Sequence, residues 1–208
     1  NVLTLWYKFV IKSNTFGNSF LVVYADDFIA GFQYKEDAER YYVLLKERLK
    51  KFNLELEESK SRMIEFGRYA EANSKRKYGK KPETFDFLGF TFYWGKGKKS
   101  GNFCVKRKTN RKKFQQKLKA VKEWLYEHLT MPVKELIMKL NTKLVGHYRY
   151  YGVSHNIAKI GAFLHFVQRY LFKVLNRRSH RQSYTWDGYI DMLKVYPLAK
   201  PKIYVKLF

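Results

Sequence analysis

Apolar residues form short runs in the first hundred residues and follow a helical period further on. Two short apolar runs flank the adjacent aspartates Asp26 and Asp27. Since aspartate favours turns, this pattern predicts a strand–turn–strand hairpin over residues 20–32. Helical spacing predicts one helix over residues 3–10 and a longer one over 36–52, with acidic residues in its first turn.

The pattern over residues 54–111 predicts short strands separated by polar stretches. Apolar residues predict strands at 54–56 and 63–66, with a turn between them. Residues 68–84 are polar and basic, which predicts a loop. Alternating apolar residues then predict a hairpin over 85–105, followed by a basic linker at 106–111.

Beyond the linker, the apolar period changes from 2 to 3.6. This change predicts helices over 114–125, 132–148, 157–174 and, in a shorter form, 186–193. The expected fold class is therefore α+β, with an antiparallel sheet and packed helix followed by an all-α bundle. We expect the division between the two regions to separate residues 1–107 from residues 108–208.

Charge is divided unevenly between the two halves. Residues 1–95 hold 16 basic and 13 acidic side chains, a net +3, whereas residues 96–208 hold 26 and 5, a net +21. A surface this basic repels itself unless it meets a polyanion. Because aromatic residues make up 18% of the chain, stacking can accompany phosphate contacts, and nucleic acid is the expected partner.

Cysteine content and hydropathy indicate the cellular compartment in which the protein is expected. The single cysteine, Cys104, excludes an internal disulfide, and no apolar stretch reaches the roughly 20 residues that span a bilayer. We therefore expect a cytoplasmic protein with no membrane partner. The chain opens at Asn1 inside an apolar pattern, which suggests a truncated sequence, and oligomeric state is left open.

The paired aspartates carry the main candidate chemistry. Two carboxylates on a hairpin supply hard oxygen ligands, and Mg²⁺ prefers such ligands while keeping waters and substrate phosphates as the others. The alternative is a polar hairpin tip without a ligand.

Four motifs, taken in order, resemble the reverse transcriptases encoded by group II introns. Tyr24-Ala25-Asp26-Asp27 resembles the catalytic YxDD box of that family. The motifs that follow are Ser59-Lys60-Ser61 after a short strand, Phe87-Leu88-Gly89-Phe90, and Gly146-His147-Tyr148-Arg149-Tyr150-Tyr151. They resemble a later palm motif, the primer-grip hairpin and the maturase thumb signature, although the family usually has Trp at the position of His147.

The resemblance implies a fold and a set of roles. It implies a partial palm over 1–107 and a helical thumb, or maturase RNA-binding domain, over 108–208. Asp26 and Asp27 would hold two Mg²⁺ ions during RNA-directed DNA synthesis, and Lys60 would assist the leaving group. Residues 87–90, named above, would grip a DNA primer. Contacts to intron or template RNA would come from Lys106, Arg107, Arg111, Arg149, Tyr150, Arg177, Arg178 and Arg181.

Departures from the family pattern leave other interpretations open. The third metal-binding carboxylate, the fingers and the Pro-Gln-Gly segment are absent, so this fragment alone is expected to be inactive. One alternative is a non-catalytic, maturase-like RNA-binding protein. Another is the palm and thumb of a CRISPR-associated or diversity-generating reverse transcriptase. We expect His147 to be a packing residue, because no acidic or histidine neighbour supports a catalytic role.

Overall fold

A computed structural model describes residues 2–97, 101–178 and 183–207, and these form two compact units. The first unit ends at Glu65 and the second begins at Phe66. In the first unit, helix α1 (Thr4–Trp6) continues as a π-helix over Tyr7–Ile11 and a 3₁₀ turn. Strands β1 (Ser19–Tyr24) and β2 (Asp27–Phe32) follow, and then helix α2 (Lys35–Lys50).

The predicted hairpin is confirmed. Strands β1 and β2 pair antiparallel with Tyr24 opposite Asp27, so Ala25 and Asp26 form a two-residue turn. The core face of the hairpin packs against buried residues of the π-helix and α2. The core-facing side chains include Leu21, Phe28, Ala30 and Phe32, and the buried residues beneath them are Tyr7, Ile11, Tyr41, Leu45 and Leu49.

The apolar runs that flank the aspartates predict that Val22 and Phe28 lie on buried strands, but Val22 is not buried. Its side chain is 46% exposed, while Leu21 belongs to the core cluster. Successive side chains of a strand point to opposite faces of the sheet. Helix α2 packs against β2 of this two-stranded sheet and so covers one of its faces. The opposite face therefore leaves Val22 and its neighbours Phe20 and Tyr24 exposed.

The second unit combines a three-stranded antiparallel sheet with helices. The sheet has the order β3 (Phe85–Phe87), β4 (Phe90–Lys96) and β5 (Phe103–Thr109). The helices are α3 (Ala70–Tyr78), α4 (Arg111–Glu127), α5 (Val133–Tyr151), α6 (Ile157–Leu175) and α7 (Trp186–Val195). The apolar stripes of α4, α5 and α6 meet in one core cluster that also includes Phe90 and Tyr189. These helices confirm the predicted change of period.

Three local predictions are wrong. Within the described residues, 54–56 and 63–66 form no strand. Residues 68–84 contain helix α3, because Ala, Glu, Lys and Arg favour helix and Gly79, at φ +62°, ends it. The basic linker at 106–111 is instead the end of β5 and the start of α4, because its lysines pair with β4 residues. The hairpin predicted over 85–105 has a Gly- and Lys-rich turn at 96–102, and residues 98–100 of that turn lie outside the described residues.

Candidate functional site

The turn of the first hairpin presents both aspartates to solvent. Ala25 has φ +50°, a left-handed conformation that a two-residue hairpin turn of the primed type requires at its first position. Asp26 and Asp27 are exposed, and neither forms an ion pair or side-chain hydrogen bond within the described part of the chain. Their oxygens are therefore available as ligands, held by six consecutive residue pairs of the ladder.

Metal-ligand geometry is incomplete in this unit. Among the described residues, no group of three or more His, Cys, Asp or Glu side chains could enclose a metal ion. The two carboxylates match the oxygen donors that Mg²⁺ prefers, but further ligands must come from elsewhere.

Lys60 interacts with Glu57 and not with the two aspartates. It is exposed in a turn, and its amide donates to the carbonyl of Glu57 at 3.1 Å. The pKa of Glu57 is lowered by a hydrogen bond from Ser59 and by the charge of Lys60. The structure gives no hydrogen bond or ion pair between Lys60 and either aspartate, so its assignment to the site stays a prediction.

The turn predicted to grip a primer is a tight and well-anchored element. Phe87 pairs with Phe90, which leaves Leu88 and Gly89 as the turn residues. Their φ angles of +49° and +76° are both positive, as a type I′ hairpin requires. The Gly89 carbonyl accepts from the amide of Asn110 at 2.9 Å, and the Leu88 carbonyl accepts from the hydroxyl of Tyr150 at 3.0 Å.

The predicted RNA-contacting residues of β5 lie on both faces of the sheet. On β5, Lys106 and Arg107 project to opposite faces, with Lys106 opposite Tyr93 and Arg107 above the ring of Phe92. Burial lowers the pKa of the Arg107 guanidinium. The pKa of His155 is lowered by burial and then by the charges of Lys106 and Arg107.

The remaining predicted contacts lie on the helices. Arg111 is exposed at the start of α4, and Arg149 is exposed in the last turn of α5. Arg177 is exposed beyond α6, with its guanidinium 5.2 Å from the ring centre of Tyr126. Arg178 is half-buried, and burial lowers its pKa. Arg181 lies outside the described residues.

His147 is confirmed as a packing residue. Its ring stacks on Phe163 with centroids 3.8 Å apart and planes 10° apart. Burial, and to a lesser extent the charge of Lys117, lowers its pKa to about 4, so the ring is neutral at physiological pH. Its Nε2 is buried and has no hydrogen-bond partner among the described residues.

The sequence analysis did not predict the structural importance of the polar residue Asn156. Asn156 is fully buried and joins the end of β5 to the end of α5 through three hydrogen bonds. Its position just before a predicted helix suggests an N-cap, but its side chain does not cap α6. Its partners lie up to 47 residues away, so no local pattern identifies them.

Comparisons with known families agree with this arrangement. The family model for reverse transcriptase (RNA-dependent DNA polymerase) matches residues 2–92. The model for the group II intron maturase-specific domain matches residues 111–189. A search of curated proteins found no match. Within the described ranges, every helix is too short or too polar to span a bilayer. With both signature regions present in chain order, the chain belongs to the group II intron reverse transcriptases/maturases.

Proposed function

We propose that Asp26 and Asp27 contribute ligands for the catalytic Mg²⁺ ions of an RNA-directed DNA polymerase. The observation that carries this proposal is the pair of exposed, unpaired carboxylates on the turn between β1 and β2. The reverse transcriptase family generally uses Mg²⁺, and the matched region includes this turn. When bound, Mg²⁺ supplies charge neutralisation at the attacking oxygen and the pyrophosphate of an in-line phosphoryl transfer.

The chain's own groups divide the remaining tasks. The aspartate oxygens fix the position of positive charge because the ladder of six residue pairs limits movement of their backbone. Lys60, exposed on its turn, is proposed to place an ammonium group near the leaving pyrophosphate. The backbone of the turn at Leu88 and Gly89 is proposed to position the primer end.

The second proposed role is maturase-type RNA binding by residues 108–208. It is supported by the maturase-specific match over 111–189 and by the net +21 of residues 96–208. We propose residues 1–107 and 108–208 as the functional division, with intron or template RNA and a DNA primer or target as partners. Such a protein would work in a cytoplasmic ribonucleoprotein or at the nucleoid.

Metal binding at the hairpin tests the first role directly. Mn²⁺ accepts the same oxygen ligands as Mg²⁺ and broadens nearby NMR signals because it is paramagnetic. We expect Mn²⁺ to broaden the amide signals of residues 25–28 first, and Mg²⁺ to reverse the effect. Asp26→Asn should remove it, whereas Asp191→Asn, at an exposed ion pair with Lys194, should not. Equal broadening in the Asp26→Asn variant would exclude Asp26 as a ligand.

A further inference from the structure

The turn of the β3–β4 hairpin is tied to the maturase-type helices at more than one point. Tyr150, on the last turn of α5, donates its hydroxyl to the Leu88 carbonyl at 3.0 Å. Its ring stacks on Phe90, with centroids 6.0 Å apart and planes 12° apart. Asn110, which caps α4 by accepting from the amide of Lys113, donates its own amide to Gly89. The turn is thus joined to the end of one helix and the start of another.

The turn also fits closely against α5. A Cβ added at Gly89 would lie 3.0 Å from the hydroxyl oxygen of Tyr151, and the φ of +76° already disfavours a side chain there. The Tyr151 ring lies 5.3 Å from that of Phe90, centroid to centroid. These contacts leave the turn little room to shift relative to the helix.

Asn156 fixes the other end of this assembly. Its Oδ1 accepts from the Thr109 amide at 2.8 Å, and its Nδ2 donates to the Thr109 hydroxyl at 2.9 Å and to the Tyr151 carbonyl at 2.8 Å. Thr109 in turn pairs with Phe90 across β4 and β5. The end of α5 therefore cannot move relative to the sheet without leaving buried polar groups unpaired, which is costly.

We infer that Tyr150 and Asn156 are positioning residues that hold the Leu88–Gly89 turn in the position where it can contact a primer end. The maturase-type helices thereby set the placement of the primer as well as binding RNA. Tyr150 acts through the Leu88 carbonyl, and Asn156 acts through Thr109 and Tyr151. This inference depends on the proposed primer-gripping function of the turn.

The test uses the whole chain and two conservative variants. Tyr150→Phe keeps the stacked ring and removes only the hydroxyl, and Thr109→Val removes the hydroxyl that accepts from Asn156. Tyr78→Phe is the matched control, because Tyr78 is 70% exposed and forms no described hydrogen bond. Two readouts are measured: amide hydrogen exchange at Phe90 and Asn110, and affinity for two RNA–DNA hybrids. One hybrid has a recessed DNA 3′ end and the other, of equal length, is blunt.

We expect Tyr150→Phe and Thr109→Val to speed exchange at these amides roughly fivefold, as loss of one net hydrogen bond implies. Affinity for the recessed hybrid should fall by a similar factor, and by more than affinity for the blunt hybrid, because only the recessed hybrid presents a 3′ end to the turn, while all properties of Tyr78→Phe stay unchanged. Unaltered exchange in both variants, or an equal fall in affinity for the two hybrids, would overturn the positioning role. If the unmodified chain does not distinguish the hybrids, the primer-gripping function itself is wrong, and the inference falls with it.

Discussion

The imidazole of His147 stacks on the phenyl ring of Phe163 with only 10° between their planes. The contact joins α5 to α6 inside the core of the second unit. Because burial of the imidazole disfavours its charged form, the same contact makes the stability of this unit sensitive to acid.

Acidification should destabilise the fold through His147. Its pKa is about 4 in the folded state, below the ordinary 6.5, so the unfolded chain binds the proton more tightly. Stability is therefore full above pH 6.5 and is lost as pH falls from there to about 4, by about 3 kcal/mol in total. His147→Phe should remove most of this decrease in stability. The free energy of unfolding is measured with urea at neutral pH and at about pH 5. His165→Gln, at an exposed histidine, should retain the decrease; equal pH dependence in both variants would contradict the assignment.

Asp37 should be a stabilising residue of the first unit. Its carboxylate is 2% exposed and accepts from the amides of Phe16 at 2.9 Å and Gly17 at 3.3 Å, while Arg40 lies 3.1 Å from its other oxygen. Asp37→Ala leaves both amides without their acceptor and removes the ion pair with Arg40, whose guanidinium keeps its hydrogen bond to the Asn14 carbonyl. This should cost about 2–4 kcal/mol of unfolding free energy. Chemical denaturation measures this. The control Glu39→Ala alters only an exposed pair with Lys35 and should cost under about 1 kcal/mol.

The sequence patterns succeeded where local periodicity determines structure. The hairpin around Asp26 follows from two apolar runs and a turn, and the helices from α4 onward follow from a 3.6-residue period. The pattern was misleading for helix α3, whose polar composition lacks an apolar stripe, and for Val22, because apolar character does not specify which face is covered.

Contacts between distant residues could not be predicted in the same way. The bonds from Asn156 to Thr109 and from Tyr150 to Leu88 link residues 47 and 62 positions apart. Motif resemblance singles out the turn at Leu88 and Gly89 as a candidate primer grip, but only the structure shows which residues hold that turn.

RNA binding should depend strongly on salt and on specific arginines. For single strands, each phosphate contact contributes about 0.7 to the slope of log affinity against log salt, so about six contacts give two to three decades per fourfold rise in salt. Replacing Arg111, Arg149 and Arg177 with Gln should lower that slope by about 2. As a control of equal charge, Lys12, Lys50 and Lys51, all exposed in the first unit, are replaced with Gln. Fluorescence anisotropy with a structured RNA measures both slopes, and equal slopes in the two triple variants would refute the assignment.

The most direct test of the proposed polymerase function is nucleotide addition at the hairpin site. The chain is joined behind the fingers and upstream palm of a group II intron reverse transcriptase. Extension of a DNA primer on an RNA template is then measured with and without Mg²⁺. We expect Mg²⁺-dependent extension that Asp26→Asn reduces to background, because the lost charge acts on the metal and the transition state, while Asp191→Asn retains full extension. Extension by the Asp26→Asn variant at the unmodified rate would contradict a catalytic role for this hairpin.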